Sequence, residues 1–276
     1  MYMAVLKIVG IGLAIALTIL IILQAKNNAE VTRIWETLQT PSIDPEPFSQ
    51  NMIAELPEPV QRYFLHAIAP GTPLATSVHL TMRGTMRLAP NQAWMPIQAE
   101  ERLSTQGFIW KAVAGQGMMQ MRGADYYTHG DGRMRFSLWG LIPVVNAHNP
   151  SVMRSAIGRW IGEYFWLPSA LLPQNGVSWK AVDKNMIQAT LKADSEPITL
   201  TFVIDDRGRL LKGSLLRWGD QTEDKRYAKI PFGGEYPSEQ TFGGYTIPSP
   251  MGAGWWIGTN RYFEFFRITL EQAQFD

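Results

Sequence analysis

With 276 residues and a formal net charge of +1, the chain lacks the basic footprint of a nucleic-acid-binding protein. It has no cysteine, which excludes disulfides, thiolate metal sites, a cysteine nucleophile and the acylated cysteine of a lipoprotein. Hydrophobic residues make up 46% of it, enough for a sizeable core, and ten Trp, nine Tyr and twelve Phe suit a wide β core or an apolar pocket.

Residues 4–25 are nearly continuous apolar sequence, broken only by Lys7, Thr18 and Gln24, and are long enough to cross a bilayer. Leu23-Gln24-Ala25 is a poor small-x-small cleavage site, so an uncleaved single-pass transmembrane anchor is expected in preference to a signal peptide. The flanking charges nearly balance, Lys7 on one side against Lys26, Arg33, Glu30 and Glu36 on the other. The short N-terminal tail then favours a cytoplasmic N-terminus with everything after Lys26 outside. Residues 26–55 read as a juxtamembrane helix, with Val31, Ile34, Trp35 and Leu38 on one face, followed by a linker with three prolines in residues 40–48. Val60, Tyr63, Phe64 and Ala67 then mark the buried side of a short helix.

From Ser77 the apolar period becomes two: Val78, Leu80, Met82, Met86 and Leu88 alternate with polar residues. Further strands are expected over 94–104, 108–114, 118–129, 133–142, 177–182, 186–193, 198–204, 209–218, 225–230, 240–247, 254–258 and 261–270. One helix, expected over 150–172, interrupts them. Asn149 caps it, Pro150 suits its first position, and Met153, Ala156, Ile157, Trp160, Ile161, Tyr164 and Phe165 form a wide apolar stripe that Pro168 kinks or ends. Residues 56–276 therefore read as one mainly β (α+β) domain: a large curved antiparallel sheet or unclosed barrel covered by the central helix.

No catalytic signature is present: no nucleophile elbow, no metalloprotease helix, no phosphate-binding loop and no dinucleotide fingerprint. His66, His79, His129 and His148 lack metal-ligand spacing, so neither a metal nor a cofactor is expected. Glu101 shares the register of Ala99 and Leu103, so an inward-facing carboxylate needs Arg159 or Arg261 as partner, unless the register is reversed and it lies in water. Arg159 and Glu163 are spaced as an i,i+4 pair that either braces the helix or points to a pocket mouth and orients a polar head group. Glu264 lies among aromatic residues, with Arg217 or Arg261 as candidate partners. Trp255 and Trp256, flanked by glycines, read as corner packing or as a rim that grips an apolar ligand. Together with Trp160 and Tyr164 of the stripe, these are the candidate ligand-binding residues.

The runs RSAIGRWIGEYFWLPSALLP, PFGGE, FGGYTIPS and AGWWIGT resemble those of an uncharacterised bacterial family, a domain of unknown function whose members often carry an N-terminal membrane segment. The likeness covers roughly residues 56–267 and implies kinship, with no activity attached; the N-terminal anchor leads to the expectation of a bacterial inner-membrane protein with its domain on the periplasmic side. The element order is also similar to the unclosed β-barrels of lipoprotein carriers, which hold acyl chains between sheet and helix. The expected function is a membrane-anchored module binding an apolar ligand such as a lipid or acyl chain. A packed structural or protein-interaction domain is the alternative, and a carboxylate-dependent enzyme a more distant one.

Overall fold

The computed structural model describes residues 2–39, 45–194 and 196–276. The proline linker expected over 40–48 falls largely on residues 40–44, outside the described residues. The apolar segment and the juxtamembrane helix form one continuous helix, α1 (Tyr2–Thr37). It is long and apolar enough to cross a membrane, and its apolar stretch is unburied.

Strands β1 (Ser77–Met86), β2 (Met95–Ser104), β3 (Gly107–Ala114), β4 (Met121–Thr128), β5 (Asp131–Leu138) and β6 (Ile142–Ala147) form a meander. After the helix α3 (Pro150–Gly162) come β7 (Ser178–Ala181), β8 (Met186–Ala193), β9 (Glu196–Ile204), β10 (Leu210–Gly219) and β11 (Ala228–Glu235). A separate hairpin, β12 (Glu239–Phe242) and β13 (Tyr245–Pro248), precedes β14 (Met251–Trp255) and β15 (Phe263–Phe275). Thirteen strands join in one antiparallel sheet of order β6-β5-β4-β3-β2-β1-β15-β14-β11-β10-β9-β8-β7, with β6 and β7 as free edges. The two halves meet where β1 pairs with β15. Gly84 makes that seam possible, since a β-carbon there would lie 1.9 Å from the Arg267 carbonyl oxygen.

The sheet must be strongly curved. β5 and β10 stand eight strand spacings apart, about 38 Å if flat. The 13-residue α3, about 20 Å long, nevertheless touches both. The helix starts as the sequence predicts, with Asn149 Oδ1 accepting from the Ser151 and Val152 amides at 3.0 Å. Its α-helical part stops at Gly162, and the chain goes on in 3-10 turns over Tyr164–Trp166, Pro168–Leu171 and Pro173–Asn175. Pro168 and Pro173 have no amide hydrogen to continue the α pattern.

The expected strand over 133–142 is two strands, joined by a tight turn in which Trp139 (φ +51°) and Gly140 (φ +74°) are both left-handed. Helix α2 (Glu58–Ala67) buries Val60, Tyr63, Phe64 and Ala67 and closes one end of the core with Trp166, Leu167, Leu171 and Leu172. On the outer face, Ile34 and Leu38 of α1 pack on Ile109 and Tyr126. Glu30 accepts from the Tyr126 hydroxyl and lies 3.5 Å from Arg135. The Lys111 ammonium sits 3.6 Å from the Trp35 ring centroid. The stalk is therefore fastened to the sheet.

Candidate functional site

The concave face is only partly filled. Beside the packed core lies a cavity of about 500 Å³ between the sheet and α3, walled by residues such as Trp110, Phe136, Phe202, Phe232, Trp255 and Phe266. Val152, Ser155, Ala156, Arg159, Gly162 and Glu163 face it, a stripe of helical period on the small and polar side of α3. Most of the apolar stripe, Ile157, Trp160, Ile161 and Tyr164, turns away into packed core. Trp160, half-buried, stacks near Tyr127 (5.5 Å between centroids) and donates its indole N–H to the Ser104 carbonyl at 2.7 Å. Tyr164 is buried beside it at 5.8 Å. Neither lines the cavity.

The polar wall is an ion cluster. Leu80, Glu101, Trp110, Asp125 and Met134 are successive cross-strand neighbours on β1 to β5, a row on the concave face. Arg159 reaches this row from α3. Its Nη1 donates to Asp125 Oδ2 at 2.8 Å, its Nε to Glu163 Oε1 at 2.9 Å, and its Nη2 lies 3.8 Å from Glu101 Oε2. The guanidinium also lies over the rings of Phe108 and Trp110, at 4.7 and 4.8 Å. Burial disfavours its charge, but Glu163, Glu101 and Asp125 outweigh this and hold its pKa above the ordinary value.

Glu101 is fully buried, and neither of its oxygens has a hydrogen-bond donor. Desolvation first, then the Glu163 charge, push its pKa well above the ordinary 4.5. Asp125 is also raised by burial, against the opposing pull of Arg159.

Arg217 extends the cluster into the cavity from β10. Its Nε donates to the Ser155 carbonyl at 3.1 Å, and its Nη2 approaches Ser155 Oγ at 3.5 Å. Its guanidinium lies over Phe232 and Trp255, at 4.7 and 5.1 Å. Among the described residues, no carboxylate oxygen lies within 4.0 Å of it. Desolvation and the Arg159 charge lower its pKa to about 10. Gly158 admits this side chain, since a β-carbon there would sit 2.9 Å from Arg217 Cγ.

Of the sequence-predicted residues, Arg159, Glu163 and Trp255 line the cavity, and Glu101 backs its wall. Trp256 does not line it: its indole N–H donates to the Gln221 carbonyl at 2.7 Å, under Arg261 at 4.0 Å. Glu264 pairs with Arg267 rather than Arg217 or Arg261, accepting from Nε at 2.7 Å. It lines a separate open groove of about 810 Å³, rich in charges such as Arg209, Lys212, Glu235 and Arg267. That groove lacks the enclosing aromatic walls of the cavity. Sequence reasoning missed Asp125 and named Arg217 only as a partner for Glu264, although each occupies an inward register position between apolar or small neighbours. Among the described residues no group of His, Asp and Glu could hold a metal ion.

The sequence runs singled out at the start build this structure: α3 with its 3-10 turns, β11, the β12–β13 hairpin, and β14 with its turn. Among solved structures, the chain is similar to a DUF1329 family protein from Desulfovibrio piger, at TM-score 0.42 and 11% identity over 73% of this chain and 86% of that one. It is also similar to a domain described as an outer membrane lipoprotein-sorting protein domain from Vibrio parahaemolyticus, at TM-score 0.39 and 10% identity over 72% and 85%. No curated protein matches it. A family model described as a family of unknown function, DUF6920, matches residues 54–275, and the chain belongs to that family.

Proposed function

We propose that this protein is a membrane-anchored binding module that holds a long-chain carboxylic acid, or a lipid with an anionic head, between its curved sheet and α3. The observation that carries this reading is the cavity of about 500 Å³, aromatic on its walls, with an Arg217 that no described carboxylate pairs. Ligand pockets are mostly apolar with a few placed polar groups, and about 300–1,000 Å³ in volume. An anion beside Arg217 gives the guanidinium a close partner against the burial and the Arg159 charge that disfavour it. A fully packed interaction domain leaves the cavity unexplained. On this reading α1, long and apolar enough to cross a membrane, anchors the module to the inner membrane with its domain on the periplasmic side.

The test is native mass spectrometry of the full chain released from detergent. A retained fatty-acid or lipid mass, lost on denaturation, is expected. A bare protein mass after exposure to several membrane extracts would overturn the proposal.

A further inference from the structure

The cavity opens toward one end of the sheet. Its lining includes Leu88 and Val144, which are 59% and 57% exposed and so stand at its mouth. The second half of the sheet brings the loops 220–227 and 256–262 to that end, and the first half brings three turns, 87–94 between β1 and β2, 115–120 between β3 and β4, and 139–141 between β5 and β6. The three turns are tied together, since the Trp139 amide donates to the Gln120 carbonyl and the Gly115 amide to the Pro96 carbonyl, at 2.9 and 2.8 Å. These turns contain no Asp or Glu, and they display Met118, Met119 and Trp139 at 78%, 73% and 47% exposure, with Ile142 next to them at 46%. The turns at the opposite end, Thr105-Gln106 and His129-Gly130, are polar.

Where this rim lies relative to α1 decides what covers it. A β-carbon on Gly140, in the tip of the β5–β6 turn, would be 3.9 Å from Gln24 Nε2. Gln24 is also where the apolar part of α1 ends. From there α1 runs toward the opposite end of the sheet, through Glu30 beside Arg135 to Leu38 on Ile109. In the other direction, residues 4–23 rise about 30 Å, the thickness of a bilayer's hydrocarbon core. The medium that must solvate that segment therefore begins at the level of the rim. Exposed Trp and Met beside a membrane helix fit the headgroup boundary, and an apolar patch of this kind is costly in water.

We propose that the three turns form a membrane-docking rim, seated in the lipid surface beside α1, so that the cavity mouth opens onto the bilayer. The proposal rests on α1 spanning that bilayer and is independent of what fills the cavity. Its occupant is the lipid interface itself, with side chains immersed by about 5–10 Å.

The chain has no cysteine, so single labels are easily placed. Full-length Leu88→Cys, Met118→Cys and Ile142→Cys, with Thr105→Cys as the opposite-end reference, carry an environment-sensitive fluorophore in phosphatidylcholine vesicles containing a spin-labelled lipid quencher. All four positions are exposed, which makes the substitutions mild. Rim labels are expected to be quenched at least about twofold more than the reference label. Equal quenching at both ends overturns the rim. Strong rim quenching with no retained lipid in the mass spectrum upholds the rim and defeats the ligand reading, and retained lipid with equal quenching does the reverse.

Discussion

Asp125 and Arg159, 34 residues apart, meet at 2.8 Å where the sheet and α3 come together. The contact joins the β4 register to the α3 phase, and it is buried on both sides, with side chains 5% and 13% exposed. A surface pair of this geometry stabilises by under about 1 kcal/mol, but a buried one behaves differently. Each ion has left water, and each depends on the other to make that tolerable.

Arg159→Ala is therefore expected to destabilise by about 3–5 kcal/mol, because it leaves Asp125 and Glu163 as buried charges without a partner. Urea unfolding in detergent measures it. A loss within the range of a surface i,i+4 pair would refute the buried-cluster account.

Glu101 makes a pH prediction. Its folded pKa is raised above the ordinary 4.5 by desolvation and then by Glu163. Above about pH 4.5 the unfolded chain releases that proton while the folded state keeps it, so this group's contribution to stability falls as pH rises. Asp125 acts in the same direction. Glu101→Gln keeps the neutral shape and removes one of the two contributions. The fall in Tm between about pH 5 and about pH 8 should become shallower, and an unchanged slope would show that Glu101 ionises as freely as in the unfolded chain.

Trp160 separates packing from hydrogen bonding. Trp160→Ala removes the ring from between Tyr127 and Tyr164 and is expected to cost about 3 kcal/mol. Trp160→Phe keeps most of the ring but orphans the Ser104 carbonyl, for about 1 kcal/mol. Equal costs would mean that the ring contributes little.

Much of this was legible in the sequence. Asn149, Pro150 and the 3.6-residue stripe specify α3 locally, and period-two alternation marks β1 through Val78, Leu80 and Met82. Ala99 and Leu103 flank Glu101 in the same register, which is why its burial could be anticipated. The β5–β6 turn was hidden because Trp139 adopts a left-handed conformation that its chemistry does not advertise. The cluster was hidden for another reason. Asp125 and Arg217 come together only because β1 pairs with β15 and the sheet curls, and no local pattern encodes a pairing between strands so far apart. The facing of α3 was misleading as well: most of its apolar stripe packs on core, while the polar stripe faces the cavity.

Ala253 tests whether the cavity is empty. It is buried on β14 and lines the space. Overpacking a filled core costs about 1–3 kcal/mol, whereas a ring entering open space costs less than about 1 kcal/mol. Ala253→Trp is expected to keep the wild-type Tm within a few degrees while losing retained ligand. A large fall in Tm would place packed atoms where the cavity is drawn.

Arg217 tests the chemistry of the ligand. Its guanidinium donates to Ser155 and stacks near Phe232 and Trp255, and no described carboxylate pairs with it. A ligand carboxylate accepting from it gains a charge-assisted hydrogen bond worth about 1.5–3 kcal/mol, or about 10–100-fold in Kd. An alcohol of the same chain length fills the aromatic walls equally well but offers no charge. Arg217→Gln should therefore weaken a long-chain fatty acid by about 10–100-fold and leave the fatty alcohol nearly unchanged, read by titrating the detergent-solubilised protein with each. Because the wild-type guanidinium is buried without an ion partner among the described residues, replacing it strands none of their carboxylates, and the variant should fold. Equal losses for acid and alcohol would assign Arg217 to shaping the cavity and remove the carboxylate from the proposal.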